Sequence, residues 1–223
     1  MADPPGRRGE DAQMARDIRR WILRVTIAET LGFGLAASVA AAVAASGIAP
    51  APGYLLTIAG GAVEGAMLGV GQWLGMPGSR PPAVAWVGAT SAGAAVAWSI
   101  GMLPSTVGFD PFSGAAAAVF VGGALLLLAS IPVAQWLVLR TRRALHWIPV
   151  TMAAWAVAVL WTLAPSPLID ERSPLALVVG LYVAAGLLMA VTVAAATAVT
   201  AVRLFPHRRA PGRVSSGAAQ PAG

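Results

Sequence analysis

Six long apolar runs, at about 22–47, 54–75, 83–103, 114–139, 147–164 and 175–204, divide the chain. Each approaches or exceeds the ~20 residues a helix needs to cross the hydrocarbon core of a bilayer. Proline-rich breaks separate most of them: "GIAPAPG", "MPGSRPP", "LPSTVGFDPFSG" and "APSPLIDERSP". Proline removes a backbone donor and drives the residue before it out of the helical region, so these stretches read as short turns at the membrane surface. The pattern predicts an all-α integral membrane six-helix bundle.

The flanks complete a three-part organisation. In "RRGEDAQMARDIRRWILRV", Met14, Ile18, Trp21 and Val25 recur at helical spacing, which predicts a partly interfacial helix leading into the first span. Residues 1–20 are read as this basic cytoplasmic segment, 21–205 as the transmembrane domain, and 206–223 as a disordered cytoplasmic tail. The tail is too poor in bulky apolar residues to order itself. A cleaved signal peptide does not fit the first run, which exceeds the usual ~7 to 15 apolar residues. Its removal would also leave an odd number of spans that contradicts the later loop charges.

Composition agrees. Of 223 residues, 57% are hydrophobic and 11% charged, against about 25% charged in soluble domains, and the mean hydropathy is +0.74. The net charge of +6 would suit nucleic acid, but the arginines flank the apolar runs, so they are read as topology signals and no nucleic-acid partner is expected. Fourteen of the fifteen basic residues, all arginines, fall in the N-terminal flank, the 2/3 and 4/5 loops and the C-terminal tail. The other loops carry Asp110, Asp170 and Glu171, with Arg172 alone among the basics. By the positive-inside rule both termini are cytoplasmic in a bacterial plasma membrane. The arginine, alanine, glycine and proline bias reads as GC-rich coding. The lack of cysteine excludes disulfides, thiol nucleophiles and thiolate metal sites.

The spans also repeat. Gln72-Trp73-Leu74 and Gln135-Trp136-Leu137 are 63 residues apart, and the same step links Arg140 to Arg203 and Gly60 to Gly123 and Gly186. Odd spans begin with Trp86-Val87 then Thr90, and Trp147-Ile148 then Thr151, each reaching a Pro-Ser pair at 104 and 165; Trp21 with Thr26 is a degenerate first copy. These intervals predict three tandem two-helix hairpins, about 21–76, 83–140 and 147–204, with the third worn down to Ala198-Val199. Two spans per unit keep one orientation, giving parallel repeats about an axis along the membrane normal. The stretch Gln135 to Arg140, "QWLVLR", with "GQWLG" at 71–75 and the span starts "WVGATSAG" and "WIPVTMAA", resembles a set of uncharacterised bacterial multi-pass membrane proteins. In these, Gly-rich spans ending in QWLVLR recur. The resemblance covers about residues 20–205 and implies the fold, without a catalytic or binding residue.

Four polar residues are candidates for an intramembrane site. Glu64 lies near the middle of its span, where a charged group costs about 2.5 to 3.5 kcal/mol and usually faces protein or a cavity. The small residues Gly61, Gly65 and Gly69 beside it permit close helix packing. Repeat equivalents of Glu64 are Leu127 and Ala190, so its role is filled once per chain. It is either a protonated group bonding to a Ser, Thr or backbone carbonyl, or a ligand, ion or proton site. Glu29 is expected to pair with Arg24 or another flanking arginine, or else to share a polar path with Glu64. Gln72 and Gln135 read as interfacial amides or as a polar ring at a cytoplasmic vestibule. Trp21, Trp73, Trp86, Trp136 and Trp147 suit the aromatic belt, while Trp98, Trp155 and Trp161 suit packing.

Conventional catalysis finds no set of residues. His146 and His207 are too far apart to be axial haem ligands inside the bundle, and no phosphate-loop, HExxH or GxSxG motif occurs. Asp170 and Glu171 read as a solvated turn. No catalytic residue, metal site or cofactor is expected. The leading expectation is a non-enzymatic structural or accessory protein packing against lipid, a protein partner or a homo-oligomer. The alternative is a proton- or cation-coupled carrier or channel using Glu64.

Overall fold

The computed structural model describes residues 5–107, 116–170 and 172–207. It contains six long helices: α1 (Pro5–Ser46), α2 (Pro50–Gly75), α3 (Ala83–Val107), α4 (Ala116–Leu139), α5 (Trp147–Leu163) and α6 (Leu175–Leu204). All six are long and apolar enough to cross a membrane, at the positions the hydropathy pattern predicts. Asp110, Glu171 and the tail from 208 onward lie outside the described residues.

Local chemistry sets most of the ends. Gly47, at φ +66°, takes the left-handed conformation after α1, and Pro50 then opens α2, where a missing N–H costs nothing. Pro165 follows the end of α5, and Pro174 caps the start of α6. Pro104 departs from its expected role as a terminator. It lies inside α3, which continues to Val107. The segment expected to lead into the first span is helical from Pro5, and α1 runs unbroken through it for 42 residues, about 63 Å at 1.5 Å per residue. That is twice the hydrocarbon thickness, so the first turns project beyond it. Met14 is 42% exposed there, while Trp21 and Val25 are fully buried.

The helices form a ring in chain order, each packed on its two sequence neighbours, and α6 closes on α1. The seam between α4 and α5 is the thinnest. Large apolar side chains such as Leu31, Leu55, Leu126 and Leu160 point outward and are exposed. Inside, beside a smaller set of large apolar residues such as Trp21, Leu68, Trp86 and Trp147, are alanine, glycine and the polar residues Glu29, Glu64, Gln72, Thr90, Gln135, Thr151 and Thr197. That inversion suits lipid as the outer solvent, because there the interior is where polar groups find partners.

Apart from Arg172, which lies in the α5–α6 connection, the described arginines are carried at one end of the ring. At it, Arg20 Nη2 donates to the Leu74 carbonyl (2.9 Å), and Arg80 donates from Nε and Nη2 to the Met76 carbonyl (3.1 and 3.0 Å), both closing the C-terminus of α2. Burial first, then the nearby Arg20 charge, draws the Arg80 guanidinium below its ordinary value. The start of the expected tail is anchored here: His207 Nε2 meets the buried Asp17 at 3.0 Å, and Ser79 N–H donates to the Pro206 carbonyl at 3.3 Å.

Arg140 ends α4 at φ +48°, a left-handed conformation that costs a residue with a Cβ about 1 kcal/mol or more. Arg140→Gly should therefore raise stability by about 1 kcal/mol in thermal unfolding in detergent, while Arg140→Ala should give no such gain. A lower midpoint for the glycine variant would mean that the Arg140 Nε bond to the Leu137 carbonyl outweighs the strain.

Candidate functional site

Two polar layers occupy the interior. The first, near the arginine-rich end, is built from the starts of α3 and α5, the Trp21 region of α1 and the C-terminal parts of the even helices. Trp86 Nε1 donates to Gln72 Oε1 (3.2 Å), and Trp147 Nε1 donates to Gln135 Oε1 (2.7 Å). Trp21 Nε1 donates to Thr197 Oγ1 (3.1 Å). Gln135 Nε2 then bridges to Gln72 Oε1 (2.7 Å) and Thr90 Oγ1 (2.9 Å) across the ring centre. Trp86 of α3 and Trp147 of α5 thus each bond a glutamine of the helix before, and Trp21 of α1 bonds Thr197 of α6.

Trp21, Trp86 and Trp147 are fully buried, which corrects their assignment to the aromatic belt. Their rings meet at the centre, with Trp21–Trp147 at 6.0 Å and Trp86–Trp147 at 6.3 Å, and Phe205 packs edge-on to Trp86 at 5.7 Å. Gln72 and Gln135 are no surface amides either, being 1% and 0% exposed. Together these groups plug the arginine-rich end. Gln135→Leu strands the Trp147 N–H and removes a donor from Gln72 and Thr90. At about 1 to 3 kcal/mol per stranded buried group, moderated by the modest strength of such bonds in membranes, it should cost about 2 to 4 kcal/mol in detergent unfolding. A variant as stable as wild type would mean the plug is held by ring packing alone.

The second layer lies eight residues further in. Glu64 is eight residues before Gln72, and Glu29 is eight after Trp21, or about 12 Å along antiparallel helices. Glu29 is completely buried and Glu64 is 6% exposed. Their carboxyls face each other closely enough to bond through a proton. Otherwise neither oxygen of Glu29 meets a donor. The expected pairing of Glu29 with Arg24 does not occur, because five residues turn a helix by about 140° and Arg24 is carried to the exposed side. Gly32, one turn beyond Glu29, allows this approach. A Cβ there would meet the Glu64 Cα and carbonyl at 3.1 Å.

On its other side Glu64 Oε2 accepts the Trp98 indole N–H at 2.6 Å. Gly61 provides the space, since a side chain at that position would occupy the Trp98 ring. Gly65 and Gly69 lie against the backbone of α3 at Thr90–Ser91 and Val87. The whole stripe is used within the chain rather than presented to a partner. Gly71 and Gly75 do the same on the opposite face of α2, against Arg24, Ala28 and Trp21 of α1.

Beyond Glu64 the bundle opens into a cavity of about 740 Å³, bounded by α3, α4 and α5 with Phe33 and Met189 at its edge. Glu64 lies at the end nearer the plug. The Trp155 Nε1, also on the cavity wall, is buried without an acceptor, as is the Thr151 hydroxyl one turn nearer the plug. Trp161, expected to pack, instead donates to Thr192 at the exposed surface (3.1 Å). Among the described residues no group of three or more His, Cys, Asp or Glu assembles.

Sequence reasoning nominated Glu29, Glu64, Gln72 and Gln135, and the structure brings them together in pairs. It missed Trp98, Trp155 and the indole partners of the glutamines. A signal was present: the equal interval of eight residues placing both glutamates at one depth. Thr197, next to the supposedly worn-down Ala198, supplies the missing polar partner. The chain finds no significant match among family models, curated proteins or solved structures.

Proposed function

We propose that this chain is a proton- or cation-coupled carrier of the bacterial plasma membrane, built from three tandem hairpins with both termini cytoplasmic. The observation that carries the reading is the Glu29–Glu64 carboxyl pair, which has no basic partner among the described residues and whose Glu64 lines the cavity. Two ionised carboxylates cannot sit together in an apolar interior uncompensated, so the pair holds a proton or a cation. The Trp-Gln plug closes the arginine-rich side of the pair and the cavity lies on its other side, so the pair is approached from the cavity. The reading includes no enzymatic activity and no cofactor.

A structural or accessory role is the second reading. It is favoured by the exposed outer half of α4, where Val119, Val121, Leu125 and Leu126 are all more than half exposed and open to lipid, a partner or a second copy. The discriminating experiment reconstitutes purified protein in liposomes and follows internal pH and cation content under an imposed gradient. Flux above protein-free liposomes supports the carrier. Its absence, with a partner or defined oligomer retained in native mass spectrometry, favours the accessory role.

A further inference from the structure

The cavity's lining goes further than a proton site requires. Apart from Glu64, the indoles and Thr162, its walls are aliphatic or aromatic, drawn from residues such as Leu68, Ile131, Leu128 and Val159. Its volume lies within the range of pockets that enclose drug-sized ligands. A bare inorganic cation would gain nothing from such walls, where Glu64 and Thr162 carry the only side-chain oxygens in the lining and a hard cation takes about six or more oxygen ligands. Three aromatic side chains border the carboxyl end: Trp98, bonded to Glu64, Trp155, eight residues beyond Trp147, and Phe33, one turn from Glu29. Aromatic faces beside an acid suit an organic cation, which they attract through the ring quadrupole.

The entrance indicates where such a molecule comes from. Burial in α4 is confined to Ile131, Pro132 and Gln135, all toward the arginine-rich end. Toward the other end, Val119 and Phe120 of α4 and Leu163 of α5 line the cavity while remaining 66%, 47% and 63% exposed. The cavity therefore opens sideways between α4 and α5, toward the lipid.

We propose that the cavity binds a lipophilic organic monocation, with its charged centre at Glu64 and its apolar body between α3, α4 and α5, entering from the bilayer. The single charge follows from the lining, in which Glu64 is the only ionisable residue. This assignment rests on the carrier reading for its purpose but not for its geometry.

Tetraphenylphosphonium, a lipophilic cation that cannot lose its charge to a base, is the probe. Binding to purified protein in nanodiscs is followed by tryptophan fluorescence and calorimetry. The expected result is saturable binding by wild type, weakened at least about tenfold in Glu64→Gln and lost in Ala124→Trp, which fills the cavity from α4. The anion tetraphenylborate should not bind. Circular dichroism and monodisperse elution establish that each variant is folded. Ala124→Trp is the safeguard if Glu64→Gln fails that test. No saturable binding by wild type, undiminished binding in both folded variants, or equal binding of tetraphenylborate would overturn the proposal. The two readings fail separately. Proton flux without tetraphenylphosphonium binding removes this ligand class and leaves the carrier, whereas binding without any flux removes the carrier and leaves the site.

Discussion

Glu64→Gln should abolish the coupled flux of protons or cations in liposomes while leaving the bundle folded. Glutamine has the size of glutamate and keeps an oxygen to accept the Trp98 indole N–H, now held at 2.6 Å. Its amide can also donate to Glu29, whose oxygens otherwise meet no donor. The packing around Gly32 and Gly61, which sets the positions of α1 and Trp98 relative to Glu64, is unaffected by the exchange. What is lost is the carboxyl that faces the cavity, with its ability to take up and release a proton or to meet a cation there. Glu29→Gln should act in the same direction, because either carboxyl depends on the other to share its proton. Flux by a folded Glu64→Gln protein equal to that of wild type would remove Glu64 from the mechanism. The reading of the carboxyl pair as a structural hydrogen bond would then stand.

Gly65→Leu should be the most disruptive single packing change, costing about 3 kcal/mol or more and preventing recovery of monodisperse protein. A Cβ at Gly65 would overlap that of Ala94 and come within 2.8 Å of the Thr90 carbonyl and 3.0 Å of the Ser91 Cα. Two of these three are backbone atoms of α3, so no side-chain rotation relieves the contact and the helices must separate. Separation pulls Trp98 from Glu64 and Trp86 from Gln72, coupling the damage to both polar layers. Gly88→Leu is the internal control. It lies on the same helix pair's outer surface with nothing within 4 Å, and the added side chain meets lipid. Thermal unfolding of both variants in one detergent decides the matter, and equal stabilities would mean that the close approach of α2 and α3 is dispensable.

These two substitutions differ in how visible their targets were. The Gly61, Gly65 and Gly69 stripe was legible as a packing face, but whether it served a neighbour within the chain or another molecule was not. Glu64 stood out because a carboxylic acid in the middle of an apolar run needs a reason. For Glu29 the distance along the helix allowed a pair with Arg24 as well as a path shared with Glu64, and the angle around the helix, which carries Arg24 to the exposed side, separates the two. The 63-residue interval flagged Gln72 and Gln135 as equivalent, and the starts of α3 and α5 flagged Trp86 and Trp147. That these two sets bond to one another depends on which helices are neighbours.

The sequence by itself determined how many helices there are, where most of them end and which ends share the arginines. Those properties are local: the length of an apolar run, a proline or a left-handed glycine at its limit, and the charge of its flanks. Only the tertiary structure decided how each helix is rotated, and therefore that Glu29 meets Glu64, that three tryptophans lie inside, and that a cavity opens between α4 and α5. In water, burial of an apolar stripe would reveal that rotation. Lipid is as apolar as a helix interior, so leucine is content on either side and hydropathy leaves the inward face unmarked. The rotation is fixed instead by glycines fitting against backbone and by a few polar groups finding one another. Both are relations between distant segments, realised when α6 closes the ring on α1.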